Sequence, residues 1–484
     1  MHTYTKFAKG VGLSGVTYVL VSVSGILVLP ILTKTLSPGD YGAYVQVYAT
    51  TQLLAFPLTI GLPIALVRFV GLSKKRQNVQ EDFYSMLFFV LLVNLFVSLI
   101  LFSLSKPLAH YLFNGNLIVA QLLPFVTLFA SLDIFLIDFF RAFRQINWFA
   151  FLLFAQTYIG VALISYLVLS GYGVVGAVLG LLMANLILFL ATLCFIVARI
   201  GFRVPHMTRL RTYLSFSAPL APSNLSSSAV NTSDRYFIGI FLGATYVAYY
   251  APSYTLGILI QMLAVPFNSM LAASLPKHHD DANVTVVETM LKYALKYFLA
   301  VAIPCIFILS ILSKSILLAL STPEIASNGY FVTPFIAVSA LLWGAEAIFS
   351  QVLILQKKTK IIGILWAASA LINVGLNIVL IPLIGILGAA ITTLLSFSFI
   401  FVAAISYSRR YMKFDLNPRF ICKSAVASLV MIPVIHSLDL GSTFSTLIAA
   451  SAGVIVYVAL IFLMKGFEKD ELTFFLRLFL KSRG

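Results

Sequence analysis

Apolar runs of about 20 residues, the length that carries an α-helix across a bilayer's hydrocarbon core, recur along nearly the whole chain between short polar breaks. That pattern fixes the solvent. The chain is 61% hydrophobic and 10% charged, with a mean hydropathy of +1.02, whereas a soluble domain is roughly half apolar and a quarter charged. No water-facing surface could hide so much apolar area. The expected fold is all-α and polytopic, with most side chains meeting lipid or other helices.

Setting apolar stretches against breaks predicts fourteen transmembrane helices, near 11–33, 43–70, 83–105, 118–140, 148–169, 173–198, 213–242, 244–271, 289–320, 328–355, 360–383, 386–408, 420–437 and 441–463. Val11 to Thr33 follows Lys6 and Lys9 as a signal segment would. It is too long for a signal's apolar region and lacks a small-residue cleavage site, so it reads as the first membrane helix, retained.

Lysine and arginine test this count, because cytoplasmic breaks collect positive charge. With the N-terminus inside, all but four of the 32 basic residues fall on the cytoplasmic side. Lys34, Lys106 and Lys314 lie opposite, and Arg235 sits within a helix. A miscounted helix would scramble the separation from that point on. Both termini are therefore expected in the cytoplasm. The net charge of +16 belongs to this asymmetry, not to a nucleic-acid surface, since the basic residues cluster between apolar runs.

Enzyme signatures are missing from the sequence. There is no phosphate-binding glycine loop, nucleophile elbow or H-E-x-x-H pair, and His278-His279 stands in a polar loop beside Asp280 and Asp281. Cys194, Cys305 and Cys422 are scattered singly, without disulfide or zinc spacing. No cofactor or metal is implied. Uphill transport would draw on substrate supply or an ion gradient, with H+ or Na+ left open as the coupling ion.

A weak internal repeat accompanies the helices. Gly173-Val-Val-Gly176-Ala177 opens the sixth stretch and Gly385-Ile-Leu-Gly388-Ala389 the twelfth, while Tyr41 and Tyr44 in the second match Tyr246 and Tyr249 in the eighth. Such repeats build many transporters. The expected organisation is an N-lobe over 1–210, a C-lobe over 211–410, two further helices over 411–464 and a tail over 465–484. Leu472, Phe475, Leu476 and Phe479 in the tail make an apolar stripe opposite Asp470, Thr473, Arg477 and Lys481, which predicts an amphipathic helix on the cytoplasmic membrane surface.

Charged groups within the membrane are costly and mark function by default. In the seventh stretch Asn224, Ser227, Ser228, Asn231, Asp234 and Arg235 follow helical spacing, a polar stripe that must turn from lipid. It lines a cavity or forms a packing seam. Asp234 and Arg235 diverge by about 100°, so each is expected to pair elsewhere. Pro219 and Pro222 favour a bent or broken helix before them. Asp133, Asp138 and Arg141 share one face of the fourth helix, with a local Asp138–Arg141 or Asp138–Arg144 pair as the structural alternative. Glu346, beside Trp343, Gly344 and Phe349, needs a partner from another helix or must keep its proton.

Three segments carry a resemblance to a known family: Leu36-Ser-Pro-Gly-Asp-Tyr-Gly42, Arg141-Ala-Phe-Arg-Gln-Ile-Asn147, and Asp234-Arg-Tyr-Phe-Ile-Gly-Ile-Phe-Leu-Gly243 followed by Tyr249 and Tyr254. In order and spacing the chain resembles the polysaccharide transporters, or O-antigen flippases, of the superfamily that also holds multidrug extruders and peptidoglycan lipid flippases. The resemblance implies two six-helix lobes around a central cavity that opens alternately inward and outward. It also implies a cargo, a polyprenyl-phosphate-linked oligosaccharide carried to the outer leaflet of the inner cell membrane for surface polysaccharide synthesis.

Such a cargo implies partners: the lipid-linked oligosaccharide, membrane lipids and other polysaccharide-assembly proteins. Its phosphate asks for arginine's planar fork, for which Arg235, Arg141 and Arg68 are candidates, although Arg68 at a helix end can instead snorkel to the headgroups. Its sugars ask for hydroxyl and aromatic partners, which Tyr249, Tyr254, Asn231 and Trp343 offer. Two alternatives stay open. A cation-coupled extruder of the same superfamily often places a carboxylate in its first helix, and Val11 to Thr33 has none. A membrane-embedded polymerase or glycosyltransferase would need a larger extramembrane loop than this chain has.

Overall fold

The computed structural model describes residues 17, 20–21, 23–72, 75–218, 221–280, 284–412, 417–467 and 471. Pro219, the start of the first predicted helix with Lys6 and Lys9, and the tail's amphipathic stripe lie outside them, as does the side chain of Pro222. Among the described residues there are helices and no strands.

The first helices are α1 (Val23–Thr35), α2 (Pro38–Leu54), α3 (Leu62–Phe69), α4 (Arg76–Ser103), α5 (Ser105–Leu112), α6 (Leu117–Ala142), α7 (Ile146–Leu167), α8 (Gly173–Ile200) and α9 (Leu210–Ser217). They are followed by α10 (Ala221–Leu242), α11 (Ala244–Asp280), α12 (Val284–Leu320), α13 (Pro323–Gly329) and α14 (Val332–Leu355). The series closes with α15 (Thr359–Ile384), α16 (Ile386–Ser408), α17 (Pro418–Leu438) and α18 (Thr443–Leu463).

Each predicted stretch meets a helix, but fourteen spans are not reached by length and apolarity. Among the described residues ten helical stretches qualify, or eleven when α2 and α3 count as one span bent by 46°. Three causes are visible. The run Ile146–Ile200 qualifies as one stretch of 55 residues, yet α7 packs along α8 after the chain reverses at Gly171 and Gly173. α10 carries the polar stripe and fails on composition. α1 is described over too short a length. The break between α2 and α3 falls at Ile60 and Gly61, both at positive φ, flanked by Pro57 and Pro63.

The glycine repeat has a physical basis. Gly173 and Gly385 both adopt positive φ, 57° and 65°, a conformation that costs other residues about 1–2 kcal/mol. Their partners three residues on permit close approach. A Cβ on Gly176 would lie 2.6 Å from Tyr172 Cβ, and one on Gly388 2.4 Å from the Leu380 carbonyl. Both motifs are thus helix-hairpin corners, α7–α8 and α15–α16. The segment 36–42 is equally structural: Ser37 caps α2 by accepting from the Asp40 amide, and Gly42 faces the backbone carbonyl of Ala244, where a Cβ would stand 1.8 Å away.

The chain forms two compact units. One comprises Met1–Thr255, Leu320–Gly329 and Thr359–Ile400, the other Leu256–Ala319, Tyr330–Lys358 and Phe401–Gly484. By contact, α10 and α15 gather with the N-terminal helices. In the first unit a core of Phe83, Phe135, Phe139 and Phe140 joins α4 and α6. In the second, Phe298, Phe349, Phe420 and Ala427 centre a core among α12, α14 and α17.

Candidate functional site

The predicted residues fall into separate groups, and the largest is built on α10. Ser227 donates to the Asn224 carbonyl at 2.9 Å, Asn231 Nδ2 to the Ser227 carbonyl at 2.8 Å, and Thr232 to the Ser228 carbonyl at 2.6 Å. In an apolar setting these short side chains satisfy themselves on their own helix. Asn224, Ser227, Ser228 and Asn231 are all half-buried.

Asp234 and Arg235 form the centre. Asp234 is 0% exposed and its carboxylate accepts from three donors: Tyr250 OH at 2.5 Å, the Arg235 amide at 2.8 Å and Arg235 Nη1 at 3.3 Å. The expectation that these neighbours pair apart is corrected. They form an ion pair, because the arginine side chain is long enough to curl back whatever the divergence of the Cα–Cβ bonds. Each also has an outside partner. Arg235 Nη1 donates to the Asn231 carbonyl at 2.7 Å, its guanidinium lies 4.2 Å from the Tyr254 ring centroid, and the Tyr254 hydroxyl donates to the Asn231 carbonyl at 3.3 Å. A buried charge is tolerated only when paired and hydrogen-bonded in this way. The Arg235 side chain keeps 13% of its surface exposed.

Two neighbouring helices hold α10 in place. From α2, Gln46 Nε2 donates to the Arg235 carbonyl at 2.6 Å. Against α15, Ser233 donates to Asn373 Oδ1 at 2.6 Å, which also accepts from Asn377 Nδ2 at 3.1 Å. Asn373 and Asn377 are fully buried. The polar side of α10 is therefore divided: Ser233 enters a buried seam, Asp234 is enclosed by α11, and the line from Asn224 to Arg235 stays partly open.

The other candidates stand apart from this cluster. Asp138 pairs with Arg141 at 2.7 Å, the local alternative foreseen from their spacing. Asp133 lies deep in the same helix but takes Gln156 Nε2 from α7 at 3.2 Å, and that nitrogen also donates to Asn185 Oδ1 of α8 at 3.0 Å. Among the described residues, Asp133 Oδ1 has no hydrogen-bond partner. Arg68 is exposed, its guanidinium over the Phe216 ring at 4.3 Å. Tyr249 donates to Glu324 Oε1 of α13 at 2.5 Å, so it serves a different contact from Arg235. Glu346 is buried and accepts from Ser350, one turn along its own helix, where a partner from another helix or a retained proton was expected. Trp343 packs against the second unit's core.

Tyr250, Gln46, Asn373, Asn377, Gln156 and Asn185 were missed from sequence. For Tyr250 a signal existed. Tyr250 and Tyr254 are four residues apart and share a face, whereas Tyr249 and Tyr254 do not. Asn373 and Asn377 repeat that spacing. Gln46 and Gln156 had no such marker, since each acts alone from its helix.

A family described as polysaccharide biosynthesis protein matches residues 7–277, a range containing α10, Tyr250 and Tyr254. Among curated proteins, a probable flippase, AglR, of Haloferax volcanii is 24% identical over 244 residues, 48% of this chain and 50% of that protein. The chain thus matches about half the length of this relative. Among solved structures, the lipid II flippase MurJ in an inward closed conformation aligns with TM-score 0.79 at 18% identity, covering 94% of this chain and 98% of that one. An inward-facing multidrug resistance MATE family transporter of the MOP superfamily aligns with TM-score 0.65 at 16% identity, covering 80% and 94%. These likenesses show the fold, that of a multi-pass membrane protein.

Proposed function

Since the chain belongs to the polysaccharide biosynthesis protein family, we propose that it is a flippase carrying a polyprenyl-phosphate-linked oligosaccharide from the inner to the outer leaflet of the cytoplasmic membrane by alternating access. Its termini face the cytoplasm, as the positive charge of the predicted inner breaks requires. The chemistry is translocation, with no bond made or broken. Either H+ or Na+ serves as the coupling ion if the cycle is driven by a gradient.

The observation that carries this reading is the partly open Arg235 guanidinium, braced by Asp234, Asn231 and the Tyr254 face. Nη1 is committed to that brace. Tyr254 also hydrogen-bonds the guanidinium, so phosphoryl oxygens would meet the 13% of the side chain that stays exposed, with arginine's planar fork as the recognising group. Asn224, Ser227 and Asn231 extend the same open line with amide and hydroxyl groups suited to sugar.

The flippase names of AglR and MurJ support the reading. The extruder remains the second reading because MATE structures share the fold. The absence of a carboxylate from Val11 to Thr33 weighs against the coupling site such extruders often use.

The test is reconstitution in vesicles with a labelled lipid-linked glycan on one leaflet. Wild-type protein moves the label to the other leaflet above the protein-free rate. Arg235→Ala slows it about 10- to 100-fold, the value of a charge-assisted hydrogen bond of ~1.5–3 kcal/mol. A rate equal to that of empty vesicles refutes the proposal.

A further inference from the structure

Two carboxylates occupy the same place in two helices that end alike, α6 and α14. The Gln145 and Lys358 amides donate to the Phe140 and Leu353 carbonyls, each at 2.8 Å, and the Arg144 and Lys357 amides to the Arg141 and Ile354 carbonyls at 3.1 and 3.0 Å. This is the helix end closed by one left-handed residue. Arg144 and Lys357 both take φ 57°, a conformation uncommon outside glycine. Counted back from that shared turn, Asp133 and Glu346 are in register, each eleven residues earlier. Both are buried, 0% and 3% exposed, each within its own compact unit.

Their surroundings match as well. Asp133 takes one donor, Gln156 Nε2 of α7, which is shared with Asn185 of α8, and its Oδ1 is left bare among the described residues. Glu346 takes one donor, Ser350, and the adjoining Gly344 is closed over by Phe298 of α12 and Ala264 of α11. No charged side chain among the described residues acts on either acid. On the helices around them the charges are engaged elsewhere: Asp138 with Arg141, Asp82 of α4 with Arg209, and Lys296 of α12 with Glu471.

We propose that Asp133 and Glu346 are equivalent binding sites for the protons that drive the transport cycle, one in each repeat. A buried ionised carboxylate is tolerated only with a counter-charge and hydrogen bonds to its remaining lone pairs. With one donor apiece and no counter-charge, both acids hold a proton in this conformation. A hard metal ion takes about six oxygen ligands, whereas the side-chain oxygens gathered at Glu346 are its own and that of Ser350. A proton is therefore the cation that both sites accommodate. Loading forms one O–H bond as hydronium gives its proton to the carboxylate and leaves water; unloading returns the proton to water when the site is wetted. The sites stand on the geometry, and their role in the cycle rests on the flippase reading.

The test of the sites is infrared difference spectroscopy on the full chain in lipid nanodiscs, following the carbonyl stretch of protonated carboxyl groups through a pH titration. Wild type keeps two such bands at neutral pH. Asp133→Asn removes one, Glu346→Gln the other and the double variant both, each amide copying the neutral acid in shape. Carboxyls already ionised at neutral pH in wild type, or bands that survive the double variant, overturn the sites. Loss of the bands when sodium chloride replaces choline chloride overturns the proton as the bound cation.

Proton movement during flipping decides the rest. In vesicles enclosing a pH-sensitive dye, adding the polyprenyl-phosphate-linked glycan to wild type evokes proton movement, which each single variant reduces and the double variant abolishes. Wild-type proton movement in the double variant, or glycan flipped by wild type without protons, overturns the coupling. Failure of wild type to flip at all counts against the transport reading, and the spectra still judge the sites.

Discussion

Replacing Asp234 by alanine isolates the energetics of the central cluster. Its fully buried carboxylate accepts from Tyr250, the Arg235 amide and Arg235 Nη1. Removing it strands a largely buried guanidinium with the Asn231 carbonyl and Tyr254 as its remaining partners, and breaking a buried pair on one side costs ~3–5 kcal/mol. Arg235→Ala strands the carboxylate in turn, although Tyr250 and the backbone amide remain to hold it, so its cost sits near the lower end, ~3 kcal/mol. With both replaced no charge is left uncompensated, and only packing is lost. The double variant should therefore be more stable than the sum of the singles predicts by ~2–3 kcal/mol, the upper range for directly coupled residues. Equilibrium unfolding of the four proteins in mixed micelles measures this coupling. Effects additive within about 0.5 kcal/mol would refute the claim that the two side chains act as one unit. Tyr250→Phe gives an internal check, expected to cost ~1.5–3 kcal/mol as the loss of a hydrogen bond to a charged group.

Three further expectations follow from packing, backbone geometry and surface charge. Gly42→Ala places a Cβ against the Ala244 carbonyl and should cost ~1–3 kcal/mol, read as a lower unfolding midpoint; a neutral result would mean α2 and α11 separate freely there. Gly173→Ala and Gly385→Ala should each cost ~1–2 kcal/mol from positive φ, and similar losses at the two sites would confirm that they are equivalent corners. Arg209 bridges Glu81 and Asp82 with its side chain 44% exposed, so Arg209→Ala should cost only ~0.2–1 kcal/mol. That difference should shrink in 1 M salt, where the screening length is about 3 Å.

Much of this was legible because membrane folding rewards coarse signals. Apolar length located the helices, and G-x-x-G at two places marked two hairpin corners. The spacing of Asp138 with Arg141 and Arg144 offers a local ion pair as one alternative, and the structure forms it with Arg141. What failed did so for specific reasons. Angular separation on a helical wheel describes Cβ directions, not the reach of arginine, and so Asp234 and Arg235 were wrongly kept apart. The polar stripe that singled out α10 also removed it from any count based on apolarity. Tyr249 was chosen over Tyr250 although only the latter shares a face with Tyr254. Lys296 counts by sequence among the cytoplasmic-side charges, and its partner Glu471 lies 175 residues away, a pairing that no local pattern announces. Asn373 and Asn377 stand in an apolar run, and only the folded chain sets Ser233 against them.

The central claim, that Arg235 serves a phosphate-bearing lipid cargo, is tested most directly by substrate competition within one preparation. Vesicles holding the protein would be given a polyprenyl-phosphate-linked glycan, the same glycan on an uncharged lipid, and a cationic dye. The account predicts that only the first changes leaflet above background, and that Arg235→Lys, which keeps the charge but loses the planar fork, impairs it. Transport of the dye with the polyprenyl-phosphate-linked glycan left in place would contradict the account and favour the extruder.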